Sequence, residues 1–463
     1  MTMLVERLRR AGPKRLLSLD GGGIRGVVTL GYLERIEQLL GEKHGDPNFR
    51  LADYFDLIGG TSTGSIIASG LAIGLRAAEI KDRYFALGGK IFGQKKGFLN
   101  YLTKGYKYDS KPLEYALRDF FGDIALGDQE RIRTGLCIFT KRAETFSTWA
   151  LFNHPDGMFY SQNRDWPLWQ IIMASAAAPT YFIPVFLEDN AGDRGAFIDG
   201  GISMVNNPSF RLFLLACLQS YPFHWVPGKD NLLLVSVGTG KSDQRTSNEV
   251  LKKKSLLGWA AAMPEYFMYD ANQMNQMIMQ LLSESPTARV IDSELGNLEK
   301  EKYLNFEALS YLRYDIQFSA KELGALGIEL SKAKLEALGA MDNPDNMEIL
   351  ASIGAKAAES AVLADHFSDT FHVNQSTHKI TLFETGKSYP LPFQFYVKRE
   401  IPIEACEIGH PFYVMTMEGL MHAKAGDYLV RGIHGEYYAC DREIFYKTYS
   451  AVERPGGGGS SAS

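Results

Sequence analysis

The sequence predicts an α/β fold: a parallel sheet covered by helices on both faces, followed by a small β-rich domain. Three observations predict it. Apolar runs of strand length alternate with segments of helical periodicity through residue 240. Several of those runs end in glycine clusters, where a chain leaving a sheet must turn sharply. Beyond residue 368 the texture becomes β-branched and aromatic, with short runs and turn signals.

The elements follow in order. "RLLSLD" (15–20) reads as the first strand. "VVTLGYLERIEQLL" (27–40) spaces Val27, Leu30, Leu33 and Leu40 as one face of a helix. "YFDLIGG" is a second strand, and the apolar run after Ser62 a second helix. Further strands are expected at 134–142, 195–201 and 231–240, and helices at 167–178 and 207–221. Residues 256–283 form a methionine- and aromatic-rich helix, expected to pack on the sheet, with an acyl-chain channel as the alternative. Residues 331–367 read as two helices broken at Asn343-Pro344. In the β-rich part, His434-Gly435 marks a hairpin turn. The expected domains are 1–367, 368–453 and a linker-like tail at 454–463, whose "GGGGSSAS" suits flexibility rather than folding.

Composition narrows the function classes. Apolar residues at 45% and charged residues at 22% suit a globular protein, and the net charge of −5 gives no pull toward a nucleic-acid polymer. Cys137, Cys217, Cys406 and Cys440 have neither metal-like nor paired spacing, which favours reduced thiols and a cytoplasmic setting. The arginine-bearing N-terminal segment does not read as a signal peptide, and no uncharged run is long enough to span a bilayer. The expectation is a cytoplasmic protein with room for peripheral membrane contact. One candidate contact is the stretch 90–108, which holds Lys90, Lys95, Lys96, Lys104 and Lys107 among aromatics and no acid.

Two glycine clusters and one aspartate carry the chemistry. Gly60-Thr61-Ser62-Thr63-Gly64 sits between a strand and a helix, the context in which G-x-S-x-G exposes a serine as a nucleophile. The helix end that follows adds positive potential. Gly21, Gly22 and Gly23 end another strand and open another helix. With Gly26 they satisfy a dinucleotide fingerprint, but that reading wants an acid closing the next strand, and Asp46 lies in loop-like sequence. An oxyanion hole of successive N–H groups, with Arg25 beside it, explains them better. Asp199, at the end of "FIDGG", could take the proton of Ser62 directly. A Ser-His-Asp triad would need a late histidine, and His224, His366 and His372 lack a strand-end, glycine-flanked setting. A two-residue site fits better, provided burial raises the carboxyl pKa from its ordinary value near 3.9.

Together, "DGGGIRG" (20–26), "GTSTG" (60–64) and "DGG" (199–201) resemble the patatin-like phospholipase family. The likeness extends to "MASAAAPTYFIPV", "LLLVSVGTG", "YLRYDIQF" and "MDNPDNMEIL", and so covers residues 14–367. The resemblance implies a three-layer α/β/α sandwich with a mostly parallel central sheet. It implies Ser62 as nucleophile, Asp199 as its partner, and Gly21, Gly22, Gly23 and Arg25 at the oxyanion hole, with Gly60 and Gly64 shaping the nucleophile elbow. Membrane phospholipids are the implied substrate, with no metal and no cofactor. Some bacterial proteins of this look are antiphage effectors switched on by cyclic nucleotides, and the resemblance permits that role, as it permits a homo-oligomer. The alternatives are a catalytically silent lipid- or partner-binding module, and an esterase or thioesterase acting on soluble acyl substrates.

Overall fold

A computed structural model describes residues 3–92, 106–242, 248–298, 301, 307–373, 403–416, 419–432 and 435–450. Most of the lysine-rich stretch (93–105), the run 374–402, His434 and the tail 454–463 lie outside the described residues. The chain divides into two compact units, Met1–Leu382 and Phe383–Ser463.

The first unit is built on a nine-stranded sheet among the described residues. Its strands are β1 (Lys14–Leu19), β2 (Leu57–Thr61), β3 (Gly135–Arg142), β4 (Ser147–Phe152), β5 (Val185–Glu188), β6 (Arg194–Asp199), β7 (Leu232–Val237), β8 (Ser283–Glu284) and β9 (Leu309–Tyr314). Their order is β5-β6-β3-β2-β1-β7-β9-β8, with β4 also paired to β3. The run from β3 to β8 is parallel, whereas β4, β5 and β6 pair antiparallel. A mostly parallel sheet is therefore present, and it carries an antiparallel edge that alternation alone does not announce. The site described below depends on that edge.

Side chains alternate between two cores, as the period of a strand requires. On one face Leu17, Leu19, Ile138, Val235 and Val237 pack against helices α1 (Gly26–His44), α2 (Thr63–Ala72), α3 (Ala77–Phe92), α4 (Ser110–Phe121) and α5 (Leu168–Ala176). On the other, Leu16, Phe139, Leu234 and Tyr311 meet α6 (Ser209–Cys217) and the C-terminal half of α7 (Leu256–Leu281). Helix α8 (Met347–Ala361) returns to the first face against α1, where the two glycines Gly31 and Gly354 let the backbones touch: a Cβ on Gly31 would lie 2.5 Å from the Gly354 carbonyl carbon. Two helical layers around one sheet make the three-layer sandwich. The helix break at Asn343-Pro344 is observed, with Lys332–Ala337 before it and α8 after. No described helix is long and apolar enough to cross a membrane.

The second unit holds an antiparallel three-stranded sheet, Glu404–Glu407, Tyr428–Arg431 and Tyr437–Cys440, and a hairpin of Phe412–Thr416 with Gly419–Ala423. A closing helix, Arg442–Thr448, is capped by Asp441 and stacks Phe445 on Tyr428 at 3.9 Å.

Candidate active site

Ser62 stands where β2 ends and α2 begins, at φ +53°, a conformation L-residues rarely adopt. Hydrogen bonds hold it there. Its N–H donates to Ser175 Oγ (2.8 Å), and Ser175 Oγ donates in turn to the Phe139 carbonyl (2.6 Å). Ser65 Oγ donates to the Ser62 carbonyl at 2.6 Å. The flanking glycines are a steric requirement. A Cβ on Gly60 would lie 2.2 Å from the Gly64 carbonyl oxygen, and one on Gly64 would lie 2.3 Å from that of Leu19. Larger residues would push α2 away from β1 and turn the serine off the sheet end.

Asp199 reaches Ser62 because two strands meet end to end along one edge of β3. Thr61, the last residue of β2, pairs with Phe139, and Asp199, the last residue of β6, pairs with Thr140. Strand β4 occupies the opposite edge of β3 at both positions. Because β2 runs parallel to β3 and β6 antiparallel, their C-terminal ends face each other. The result is a hydrogen bond of 2.7 Å from Ser62 Oγ to Asp199 Oδ2. The other carboxylate oxygen, Oδ1, accepts the Gly201 N–H at 2.6 Å, which orients the group. Burial pushes the Asp199 pKa up to about 6, against the opposing pull of the Gly201 N–H and the Ser62 hydroxyl. A carboxylate of that basicity can accept a serine proton near neutral pH, where an ordinary one would be a poor base.

The glycine loop lies across from this pair. The N–H of Gly21 donates to the Asn206 carbonyl (2.9 Å), so this glycine contributes room and not a donor: a Cβ there would lie 3.3 Å from that of Ser62. Among the described residues, the N–H groups of Gly22 and Gly23 have no acceptor, and both glycines line the cleft with Ser62 and Asp199. Gly23 takes φ +58°, with the Met341 carbonyl oxygen 2.2 Å from where a Cβ would be. Of the three N–H groups expected at an oxyanion site, that of Gly21 is therefore already bonded, and those of Gly22 and Gly23 have no acceptor among the described residues. Arg25 donates from Nε to the Gly22 carbonyl (3.3 Å) and faces an adjoining polar pocket that also holds Lys241 and Glu265.

Two residues outside the motifs hold these parts in register. Tyr84 on α3 donates to the Gly23 carbonyl (2.5 Å) and is bonded to Thr63 Oγ1, which joins the loop to the nucleophile turn. Arg313 on β9 is buried and donates to both carboxylate oxygens of Asp20 (2.9 and 2.6 Å), to Ser236 Oγ (2.7 Å) and to Asp315 Oδ2 (3.1 Å). Asp20 is the residue from which the glycine loop departs.

The cleft encloses about 760 Å³ including its mouth, and apart from the serine and aspartate its walls are chiefly apolar, with Ile66, Leu87, Leu113, Phe182, Met268 and Met341. A mostly apolar cleft with a few convergent polar groups is the usual form of a small-molecule site. The histidines weighed as triad members lie elsewhere. His224 bonds the Gln219 carbonyl, His366 bonds Tyr314 and His372 stacks on His44. Within the lysine-rich stretch, Lys107 pairs with Asp342 and Tyr108 is buried, so that end of it turns inward. Among the described residues no cluster of three His, Cys, Asp or Glu side chains is arranged to hold a metal ion.

Comparison with known proteins shows which sequences the chain resembles. A family model described as patatin-like phospholipase matches residues 17–213, the span that contains the glycine loop, Ser62 and Asp199. The chain is 33% identical over 259 residues to a cGAMP-activated phospholipase of Escherichia coli, covering 53% of this chain and 67% of that protein. It is 36% identical over 204 residues to a cGAMP-activated phospholipase of Vibrio cholerae, covering 42% of this chain and only 56% of the relative's length. With Patatin-17 of Solanum cardiophyllum it shares 28% identity over 369 residues, covering 76% and 85%.

Proposed function

The chain belongs to the patatin-like phospholipase family, and with it to the lipid acyl hydrolases, and we propose that it cleaves fatty-acyl esters of membrane phospholipids through Ser62 and Asp199 alone. The observation that carries this reading is the 2.7 Å bond between Ser62 Oγ and a buried carboxylate at the base of an apolar cleft. In the first step Ser62 Oγ attacks the ester carbonyl carbon while Asp199 Oδ2 takes its proton. The carbonyl oxygen becomes an oxyanion facing the N–H groups of Gly22 and Gly23. Collapse breaks the bond to the alcohol oxygen, which leaves with the proton from Asp199 and yields an acyl-enzyme. Water then attacks the acyl carbon, Asp199 again accepting the proton, and the fatty acid departs as Ser62 recovers its hydrogen.

Support for a switched enzyme comes from the E. coli and V. cholerae relatives, which are named as cGAMP-activated. Activation of this chain by cGAMP is accordingly part of the proposal. Dependence on that nucleotide would point to an effector that degrades its own cell's membrane in antiphage defence.

The test is fatty-acid release from phospholipid vesicles with and without cGAMP, together with labelling by a fluorophosphonate. We expect release, a rate that jumps above the substrate's aggregation concentration, and a probe adduct on Ser62. An unlabelled Ser62 in folded protein, with no release in either condition, would overturn the reading in favour of a silent binding module. Release without the jump would favour an enzyme of soluble esters.

The pH profile gives a second expectation. Only the ionised form of Asp199 accepts a proton, so kcat/KM on a soluble ester should rise about tenfold per pH unit below pH 6 and level off above 7. A rise centred near the ordinary carboxylate pKa would rule out the buried base.

A further inference from the structure

We propose that the N-terminal half of helix α7 is a membrane-docking element, which seats the cleft on an anionic phospholipid surface. The inference rests on the phospholipase reading for its biological sense, and on geometry for its argument.

Helix α7 has two unlike halves. From Ala271 onward it packs on the body, with Ala271, Asn275 and Met279 buried. Over 256–270 none of the described side chains is buried. Those fifteen residues run for about 22 Å at the rise of an α-helix. A helix segment exposed over four turns would ordinarily be polar. This one instead exposes Leu256 (85%), Trp259 (39%), Met263 (41%), Tyr266 (44%) and Phe267 (61%). At about 100° per residue all five fall within an arc of about 100°. The next residue on that arc, Asp270, ends the apolar run.

The inward face of the same helix belongs to the catalytic cleft, since Met268 lines it and Tyr269 lines the adjoining polar pocket. Whatever the outer stripe rests on is therefore held close to the cleft mouth. Charge identifies the occupant. Lys252, Lys253 and Lys254 immediately precede the helix, and the Lys254 ammonium lies 4.7 Å from the Trp259 ring centroid and 5.7 Å from that of Tyr266. Lysines beside a Trp- and Tyr-bearing stripe, with no carboxylate on the stripe before Asp270, complement an apolar layer under anionic headgroups. A second copy of this chain would have to offer carboxylates beside an apolar patch to match it.

The test uses full-length protein carrying Ser62→Ala, so that hydrolysis does not alter the vesicles, in co-sedimentation with vesicles of phosphatidylcholine alone or rich in phosphatidylglycerol. Two variants are compared with it, Trp259→Glu/Phe267→Glu and Lys252→Gln/Lys253→Gln/Lys254→Gln. Each is expected to lose about tenfold or more in binding to the anionic vesicles. The lysine variant should bind the neutral vesicles as the parent does. With Ser62 restored, both variants should turn over a soluble ester within about twofold of wild type, because neither change touches the cleft. Parent protein that does not bind anionic vesicles, or variants that bind them undiminished, would overturn the proposal. So would a Trp259→Glu/Phe267→Glu protein that still binds but whose oligomers dissociate by light scattering, since the stripe would then belong to a second copy. Lost binding in protein that never hydrolyses any ester would keep the docking element and defeat the hydrolase reading instead.

Discussion

Asp199→Asn is expected to abolish most of the activity and at the same time to stabilise the protein. The asparagine is isosteric, keeps an acceptor for the Gly201 N–H and can still bond Ser62 Oγ, so the geometry survives and only the base is lost. General-base catalysis contributes about 10² to 10⁴-fold, and the fall in kcat should lie in that range. Ser62→Ala, which removes the nucleophile itself, should fall further, by about 10⁴-fold or more. The stability gain has a definite sign. Burial raises the folded-state pKa of Asp199 from 3.8 to about 6, so the folded chain holds this proton more tightly than the unfolded one. Wild-type stability is therefore lost as pH rises from about 4 through 6, by up to about 3 kcal/mol at neutral pH. Asparagine escapes that cost. Denaturant midpoints should favour Asp199→Asn at pH 8 and coincide with wild type near pH 4. A gain independent of pH, or a variant retaining a tenth of the activity, would show that the carboxylate is not the base.

Arg313→Met is expected to be among the most damaging single changes in the first unit, although Arg313 touches no substrate. Its guanidinium sits between the buried carboxylates of Asp20 and Asp315; burial alone would lower its pKa, but the two charges outweigh it, push the pKa upward and keep the group charged. Removing one member of a buried ionic network leaves the others uncompensated, at a cost of about 3–5 kcal/mol. Asp20 leads directly into Gly21, so residual folded protein should also lose turnover as the Gly22 and Gly23 donors shift. Adding Asp20→Asn and Asp315→Asn should restore a large part of the stability, since the stranded charges are then gone. A loss below about 1 kcal/mol in Arg313→Met would mean that the network is dispensable.

Much of this site is legible in the sequence because its parts are local. A strand, a tight glycine-framed turn and a helix occupy 57–72 without interruption, and nothing distant is needed to see that Ser62 ends up at a strand end. The same holds for the glycine loop at 21–23 and for the break at Asn343-Pro344. Ser175, Tyr84 and Arg313 gave no such signal. Each lies within an ordinary helix or strand and acts through one hydroxyl or guanidinium on groups far away in the chain: Ser175 and Tyr84 on backbone atoms of Ser62, Phe139 and Gly23, Arg313 on the Asp20 carboxylate. Strand β4, paired to β3, and the four-residue β5, paired to β6 at the sheet edge, carry little periodicity to read either.

The sequence by itself determined the α/β alternation and the tight glycine-framed turn at Ser62, and it singled out Asp199 as the candidate partner, because hydrophobic period, turn sterics and a strand-end aspartate beside glycines are properties of neighbouring residues. Only the tertiary structure brings that aspartate to the serine and gives it the basicity that the proposed mechanism needs. Asp199 is 137 residues from Ser62, and it meets the serine because an antiparallel strand abuts the end of a parallel one on β3. The same packing buries the carboxylate and raises its pKa, engages the Gly21 N–H with Asn206, and leaves the described side chains of the outer half of α7 unburied. Strand register and desolvation depend on which surfaces the whole chain brings together, and no local pattern encodes them.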